Sequence, residues 1–157
     1  MDKNLEKYLK EKDITFIEHK HKPIFRVEEG KKLKKLIPAV HTKCLFLKDN
    51  NEKFYLLCTI GEKRVDMKNL RINLGVKKLH FASFAELKQH LNVNPGSVSI
   101  FGMIYSKEVI LVIDKEIWES NRTGFHPNIN TSTLEIDHKN LEKFINNLQG
   151  KKLIIQI

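Results

Sequence analysis

The sequence predicts an α+β fold, a single domain spanning residues 1–157 in which a mixed sheet packs with helices. Three observations lead there. Two β-prone apolar runs, residues 44–47 and Phe54–Ile60, flank the polar segment 48–53, which is hairpin patterning. Helical segments fall between strands at irregular intervals, without the regular βαβ alternation of a doubly wound sheet, so strands are expected to pair locally. No repeat and no Gly/Ser- or Pro-rich linker divides the 157 residues, a length that suits one domain with a full core and is short for two.

The elements follow in order. Leu5, Tyr8 and Leu9 recur at helical spacing between charges, so residues 4–12 read as an amphipathic helix. Residues 15–18 are short and partly β-branched, a strand. Val27–Leu36 reads as a second helix, weakened by Gly30. Its Lys31, Lys32, Lys34 and Lys35 form the densest basic cluster in the chain, either a solvated face or a phosphate-contacting patch. After the hairpin, Met67, Leu70, Arg71 and Leu74 repeat at helical spacing from Asp66, and Gly75 suits that helix's end. Ser83 and Glu86 make a capping box ahead of Phe84, Leu87 and Leu91, predicting a helix to about His90. Asn94-Pro95-Gly96 breaks the chain into a loop. Residues 109–113 are apolar and β-branched, a strand. Asp137 can cap a last helix with Leu141, Phe144, Ile145 and Leu148 on one face and Gly150 behind it, and residues 153–157 close the chain as a strand.

Composition narrows the class. Apolar residues make up 41% and charged residues 30%, the balance of a soluble globular domain. No stretch nears the roughly 20 apolar residues that span a bilayer. Residues 1–12 are charged and lack an apolar signal-peptide core, so a cytosolic protein is expected. Cys44 and Cys58 have no second pair to complete a zinc ribbon, and both sit in strand-like apolar surroundings, so they are expected to be buried free thiols. The formal charge of +9, from 28 Lys and Arg against 19 Asp and Glu, suits a polyanionic partner. A lysine- and asparagine-rich genome produces the same excess, so charge alone does not decide.

Most familiar catalytic signatures are missing: there is no phosphate-binding Gly-rich loop, dinucleotide fingerprint or nucleophile elbow. His19 and His21 share a strand face but have no third metal-ligand partner nearby in sequence. Two segments stand out instead. In Asn94-Pro95-Gly96-Ser97-Val98-Ser99, the glycine lets backbone amides approach a ligand and the serines add hydroxyls. Thr123-Gly124-Phe125-His126-Pro127-Asn128-Ile129-Asn130-Thr131 reads as a loop that packs His, Asn and Thr side chains between Gly and Pro. In either case the polar side chains could merely satisfy their own backbone. A third place is Lys43, which follows Thr42 at the mouth of the 44–47 strand and on its own would read as a surface charge.

Together these places resemble the YbaK/ProX family of aminoacyl-tRNA deacylases, relatives of the editing domain inserted in bacterial prolyl-tRNA synthetases. The likeness is carried by Thr42-Lys43-Cys44-Leu45-Phe46-Leu47-Lys48-Asp49, by residues 94–99 and by Gly124-Phe125-His126-Pro127-Asn128-Ile129-Asn130-Thr131. Residues 19–29, 64–70 and 109–114 add weaker support. The resemblance implies a strongly bent mixed sheet and a free-standing cytosolic enzyme that hydrolyses the ester of a mischarged tRNA. The amino acid implied is alanine, or another small one, on proline tRNA. Mischarged tRNA is the implied partner, with prolyl-tRNA synthetase as a candidate second one, and no metal, organic cofactor or membrane is implied.

By the same resemblance Lys43 falls on the lysine the family needs for activity, Gly96 on the glycine of its Gly-x-x-x-Pro loop and His126 on the histidine of its Gly-x-His-Pro segment. Lys43 and Gly96 are thus the catalytic candidates. Thr42, Cys44, Ser97, Val98, Ser99, Gly124, His126, Asn128, Asn130 and Thr131 are the substrate-binding candidates. Two positions depart from the pattern. Cys44 stands where the family usually has Asn and removes an amide that could hold the substrate, and Ile100 stands where it has Pro and is expected to loosen the loop. A second reading follows from these departures, a weakly active or inactive tRNA-binding module of the same fold, separable by binding without hydrolysis. A third, an unrelated ligand- or protein-binding domain, would fail to bind any tRNA at low salt.

Overall fold

A computed structural model describes residues 1–24 and 27–157. Residues 25 and 26, inside the 19–29 stretch that carries part of the resemblance, lie outside the described residues, as does the side chain of Val27. The chain runs α1 (Lys3–Glu11), β1 (Ile17–Lys20), α2 (Val27–Leu36), β2 (Val40–Asp49), β3 (Phe54–Ile60), α3 (Met67–Leu74), β4 (Leu79–Phe81) and α4 (Phe84–Leu91). A 3₁₀ turn (Ile100–Tyr105) leads to β5 (Ile110–Asp114), α5 (Lys115–Trp118), β6 (Arg122–Phe125), β7 (Ser132–Asp137), α6 (His138–Asn146) and β8 (Lys152–Ile155).

Local chemistry sets the helix ends. Side chains of Asp66, Ser83 and Asp137 each accept a backbone N–H from the first turn of α3, α4 and α6, filling donors that a helix start leaves open. Ser83 and Glu86 also bond side chain to side chain at 3.0 Å. Gly75 ends α3 in the left-handed region at φ 69°.

The sheet is mixed, in the order β1-β7-β6-β2-β3-β5-β8, with β4 added to β2. Pairing is less local than the sequence suggested. The β2–β3 and β6–β7 hairpins are consecutive and antiparallel, but β2–β6, β3–β5 and β5–β8 are parallel and join distant segments. The stretch read as a loop over 123–131 is corrected: Thr123, Gly124 and Phe125 belong to β6, and only 126–131 connects it to β7. Strand β7 escaped notice because both its faces are covered, so Ser132, Thr133 and Glu135 are buried and the usual polar–apolar alternation carries no signal. Burial alone would raise the Glu135 carboxyl, but hydrogen bonds from His19, at 2.7 Å, and from Arg122 outweigh it and hold the group below its ordinary value.

Strand β2 is the hinge of this architecture, pairing with β6 at one end, β4 at the other and β3 throughout. Cys44 and Phe46 face a large core built with Leu5, Leu9, Leu91, Phe101, Phe125 and Phe144. Leu45 and Leu47 face a smaller cluster with Tyr55, Leu57, Leu70 and Val112. No helix among the described residues is long and apolar enough to cross a membrane.

Candidate functional site

The stretch of β2 between its β6 and β4 contacts is where the site forms. In the β2–β3 ladder Gly61 donates to the His41 carbonyl at 2.8 Å and Asp49 to the Lys53 carbonyl at 2.9 Å. Residues 41 and 49 are therefore in hydrogen-bonded pairs, and with a period of two so are 43, 45 and 47. Cys44, opposite Cys58, occupies a non-hydrogen-bonded pair. Its amide and carbonyl consequently point away from β3, toward the side on which β6 ends and delivers Phe125 and His126.

A cavity of about 230 Å³ opens there, lined by Thr42, Lys43, Cys44, Gly96, Val98, Ser99, Phe125 and His126. Seven of the candidates named from sequence thus meet in one place although they come from three distant segments. The Thr42 hydroxyl donates to the Gly124 carbonyl at 2.7 Å and ties β2 to β6 at the rim. Asn94-Pro95-Gly96-Ser97 is a tight turn closed by the Ser97 N–H on the Asn94 carbonyl at 3.0 Å, with Gly96 at φ 85°. That φ is the reason for glycine here, as in the third position of a type II turn; a Cβ at Gly96 would meet nothing within 4 Å. The Ser99 hydroxyl caps the following 3₁₀ turn by accepting from Phe101 N–H at 3.3 Å. Ile100 is fully buried and anchors the loop's end in the core.

A second cavity, of about 440 Å³, shares Thr42 and His126 with the first and continues past Gly124 and Thr133 to α2, where Gly30, Lys31, Leu33 and Lys34 close it. Gly124 keeps this passage open, since a Cβ there would stand 3.1 Å from Thr133 Cγ2. His41 also lines it, with its Nε2 buried and without a hydrogen-bond partner among the described residues. Sequence reasoning missed His41. The only signal was its place directly before Thr42-Lys43.

His126 stands on the shared wall. Its Nδ1 lies 3.1 Å from the Ser132 carbonyl, so Nδ1 carries the proton and Nε2 presents a lone pair. Burial lowers its pKa, with a smaller push from nearby His21, so the ring is neutral near pH 7. Burial likewise lowers His41. Lys43 contributes to the wall of the smaller cavity, but its ammonium donates to the carbonyl of Lys63. Lys63 in turn pairs with the buried Asp114 at 2.7 Å, which also accepts from the Thr59 hydroxyl at 2.6 Å. Lys43 and the Gly96 turn thus share one cleft, while the Lys43 ammonium is held on the Lys63 carbonyl.

Ser97, Asn128, Asn130 and Thr131 line neither cavity. The Thr131 carbonyl instead accepts from His21 N–H at 2.9 Å, holding β1 to the connection, and Asn128 sits buried at φ 61°. Cys58 is the buried free thiol expected, whereas Cys44 is only half-buried because it borders the cavity. Among the described residues no three His, Cys, Asp or Glu side chains are grouped so as to hold a metal ion.

Comparison with known proteins bears on this geometry. A prolyl-tRNA editing protein ProX from Acetoanaerobium sticklandii is 31% identical over 140 residues, covering 87% of this chain and 85% of its own. A prolyl-tRNA synthetase associated domain-containing protein 1 from Danio rerio is 29% identical over 157 residues, covering 98% and 85%. Among solved structures, the hypothetical protein APE2540 superposes with a TM-score of 0.77 at 18% identity over 97% of this chain and 98% of its own. A candidate trans-editing enzyme for prolyl tRNA synthetase does so with a TM-score of 0.74 at 12% identity over 100% and 99%. At these identities the two structures establish the fold. The family model described as aminoacyl-tRNA editing domain matches residues 21–144, and with it the chain belongs to the aminoacyl-tRNA editing domain family, ester hydrolases of the YbaK/ProX type.

Proposed function

We propose that the protein hydrolyses the ester of a small amino acid, alanine in the first place, mischarged on proline tRNA. The observation that carries this reading is the pair of cavities meeting at Thr42 and His126. The smaller, walled by Cys44, Val98 and Phe125, takes the aminoacyl group. The larger, closed by Lys31 and Lys34, takes the terminal adenosine and the phosphate before it. A ProX relative named for prolyl-tRNA editing supports the choice of tRNA.

An aminoacyl ester is already activated, so a rate gain of about 10⁴ asks for only about 5.5 kcal/mol of transition-state stabilisation. The backbone amides of Gly96 and Val98 supply an oxyanion hole, a contact worth about 3 kcal/mol per donor. Ser97 N–H is spent on closing the turn, so the donors are its neighbours. The His126 Nε2 lone pair and the Cys44 carbonyl accept from the substrate ammonium, which leaves the family's missing Asn amide replaced by main chain. Lys43 exchanges the Lys63 carbonyl for a substrate oxygen and fixes a positive charge beside the ester. Water, activated by the adjacent ribose hydroxyl, is the nucleophile. Its attack breaks the acyl–oxygen bond and releases free amino acid and tRNA.

A synthetase pocket sized for proline cannot reject alanine by binding alone, because each missing methylene offers only about 1–3 kcal/mol. A second, smaller cavity sorts by the opposite criterion. The test is a deacylation panel of alanine, cysteine and serine on proline tRNA with wild type and Lys43→Ala. Alanine is expected to be released fastest, and Lys43→Ala to lose about 10²-fold. Undiminished release by Lys43→Ala of every ester tested would remove the lysine from the mechanism. Tight binding of all three without release would instead favour the inactive tRNA-binding module.

A further inference from the structure

Cys44 and Cys58 are cross-strand neighbours whose arrangement has no part in ester hydrolysis. They are direct register partners on β2 and β3, and they occupy a non-hydrogen-bonded pair, the position at which facing side chains come closest in an antiparallel ladder. Their sulfur atoms lie 2.9 Å apart. Both are free thiols, Cys58 fully buried and Cys44 bordering the small cavity, where a solute can reach it. We propose that Cys44 and Cys58 form a reversible thiol–disulfide pair in the cavity wall, closed by hydrogen peroxide and reopened by a dithiol reductant. The pair itself stands apart from the editing reading, and only its effect on turnover rests on it.

The chemistry balances in two steps. The Cys44 thiolate attacks peroxide, the O–O bond breaks, and the expelled hydroxide takes the thiol proton as water, leaving a sulfenic acid. The Cys58 sulfur then attacks the Cys44 sulfur, the S–O bond breaks, and the second hydroxide leaves as water with the Cys58 proton. Two thiols are oxidised by two electrons in total and one peroxide is reduced to two waters. Geometry assigns the order, because only Cys44 borders a cavity. Burial raises the Cys58 thiol well above its ordinary value, which leaves the attack on peroxide to Cys44. Closure draws Cys44 toward β3 and away from the substrate, and a shift of about 1 Å in such a group can cost about 10²-fold in rate.

The experiment treats the whole reduced protein with hydrogen peroxide, then quantifies free thiols and maps peptides without reduction by mass spectrometry. Wild type is expected to lose both thiols, yield a Cys44–Cys58 linked peptide pair and recover both thiols with dithiothreitol. Cys58→Ala is expected to carry Cys44 on to sulfinic acid, which dithiothreitol does not reverse. Two titratable thiols after treatment, or Cys44 sulfinic acid in wild type, would overturn the pair. Deacylation measured alongside should fall on oxidation and return on reduction. Closure of the disulfide with unchanged deacylation would overturn its effect on the cavity. A reduced protein that releases no amino acid from any mischarged tRNA would overturn the editing reading while the linked peptide still establishes the pair.

Discussion

Gly96→Ala separates the geometry of the turn from its chemistry. Gly96 stands at φ 85°, and a Cβ there would meet nothing within 4 Å, so the substitution meets a backbone penalty and no clash. Left-handed backbone costs an L-residue roughly 1–2 kcal/mol. Gly75 offers a matched control. It stands at φ 69° with the same open surroundings, but it ends α3 and lines neither cavity. Both variants should therefore lose about 1–2 kcal/mol in urea unfolding, at roughly 2–4 °C in Tm per kcal/mol for a chain of this size. Their single-turnover deacylation rates should part. Gly75→Ala should match wild type, while Gly96→Ala, by turning the amides beside the ester, should lose up to the roughly 10²-fold that one oxyanion donor is worth. Equal deacylation by the two variants at equal loss of stability would refute the oxyanion role of the turn.

Other consequences are equally open to measurement. Burial lowers the His126 pKa in the folded state, so the folded form disfavours its protonation and stability should fall as pH drops below the unfolded imidazole range near 6.5. That fall should be smaller in His126→Gln, and an identical pH dependence by urea unfolding in the two proteins would contradict the burial argument. Replacing Lys31 and Lys34 together by Gln should weaken tRNA binding and flatten its log–log salt dependence by about 1.4, the value for two phosphate contacts on a single strand. An unchanged slope would place both lysines on a merely solvated face.

What the sequence made legible was mostly local. Ser83, Asp137 and Gly75 each cap a helix as their types and spacing predict, because capping needs only residues within one turn. Asn94-Pro95-Gly96 is the turn it reads as for the same reason. Strand β7 was not legible, since Glu135 sits in the interior on bonds to His19 and Arg122, partners contributed by two other strands. Nor was the parallel joining of β2 to β6, which brings Thr42 onto Gly124 across 82 positions and has no short-range signature. The site shows the same division. Motifs named Lys43, Gly96 and His126, but the tether of Lys43 to Lys63, the buried Nε2 of half-buried His41 and the opposition of Cys44 to Cys58 emerge only from the folded strands.

The central claim is that the smaller cavity holds the ester, and filling it is the direct test. Val98 is half-buried on its wall, so Val98→Phe should occupy the space meant for the amino acid and leave the larger, lysine-closed cavity intact. Single-turnover hydrolysis of alanyl proline tRNA should then collapse toward the uncatalysed rate while tRNA affinity stays within a few-fold of wild type. Hydrolysis at the wild-type rate by a folded Val98→Phe protein would contradict the account.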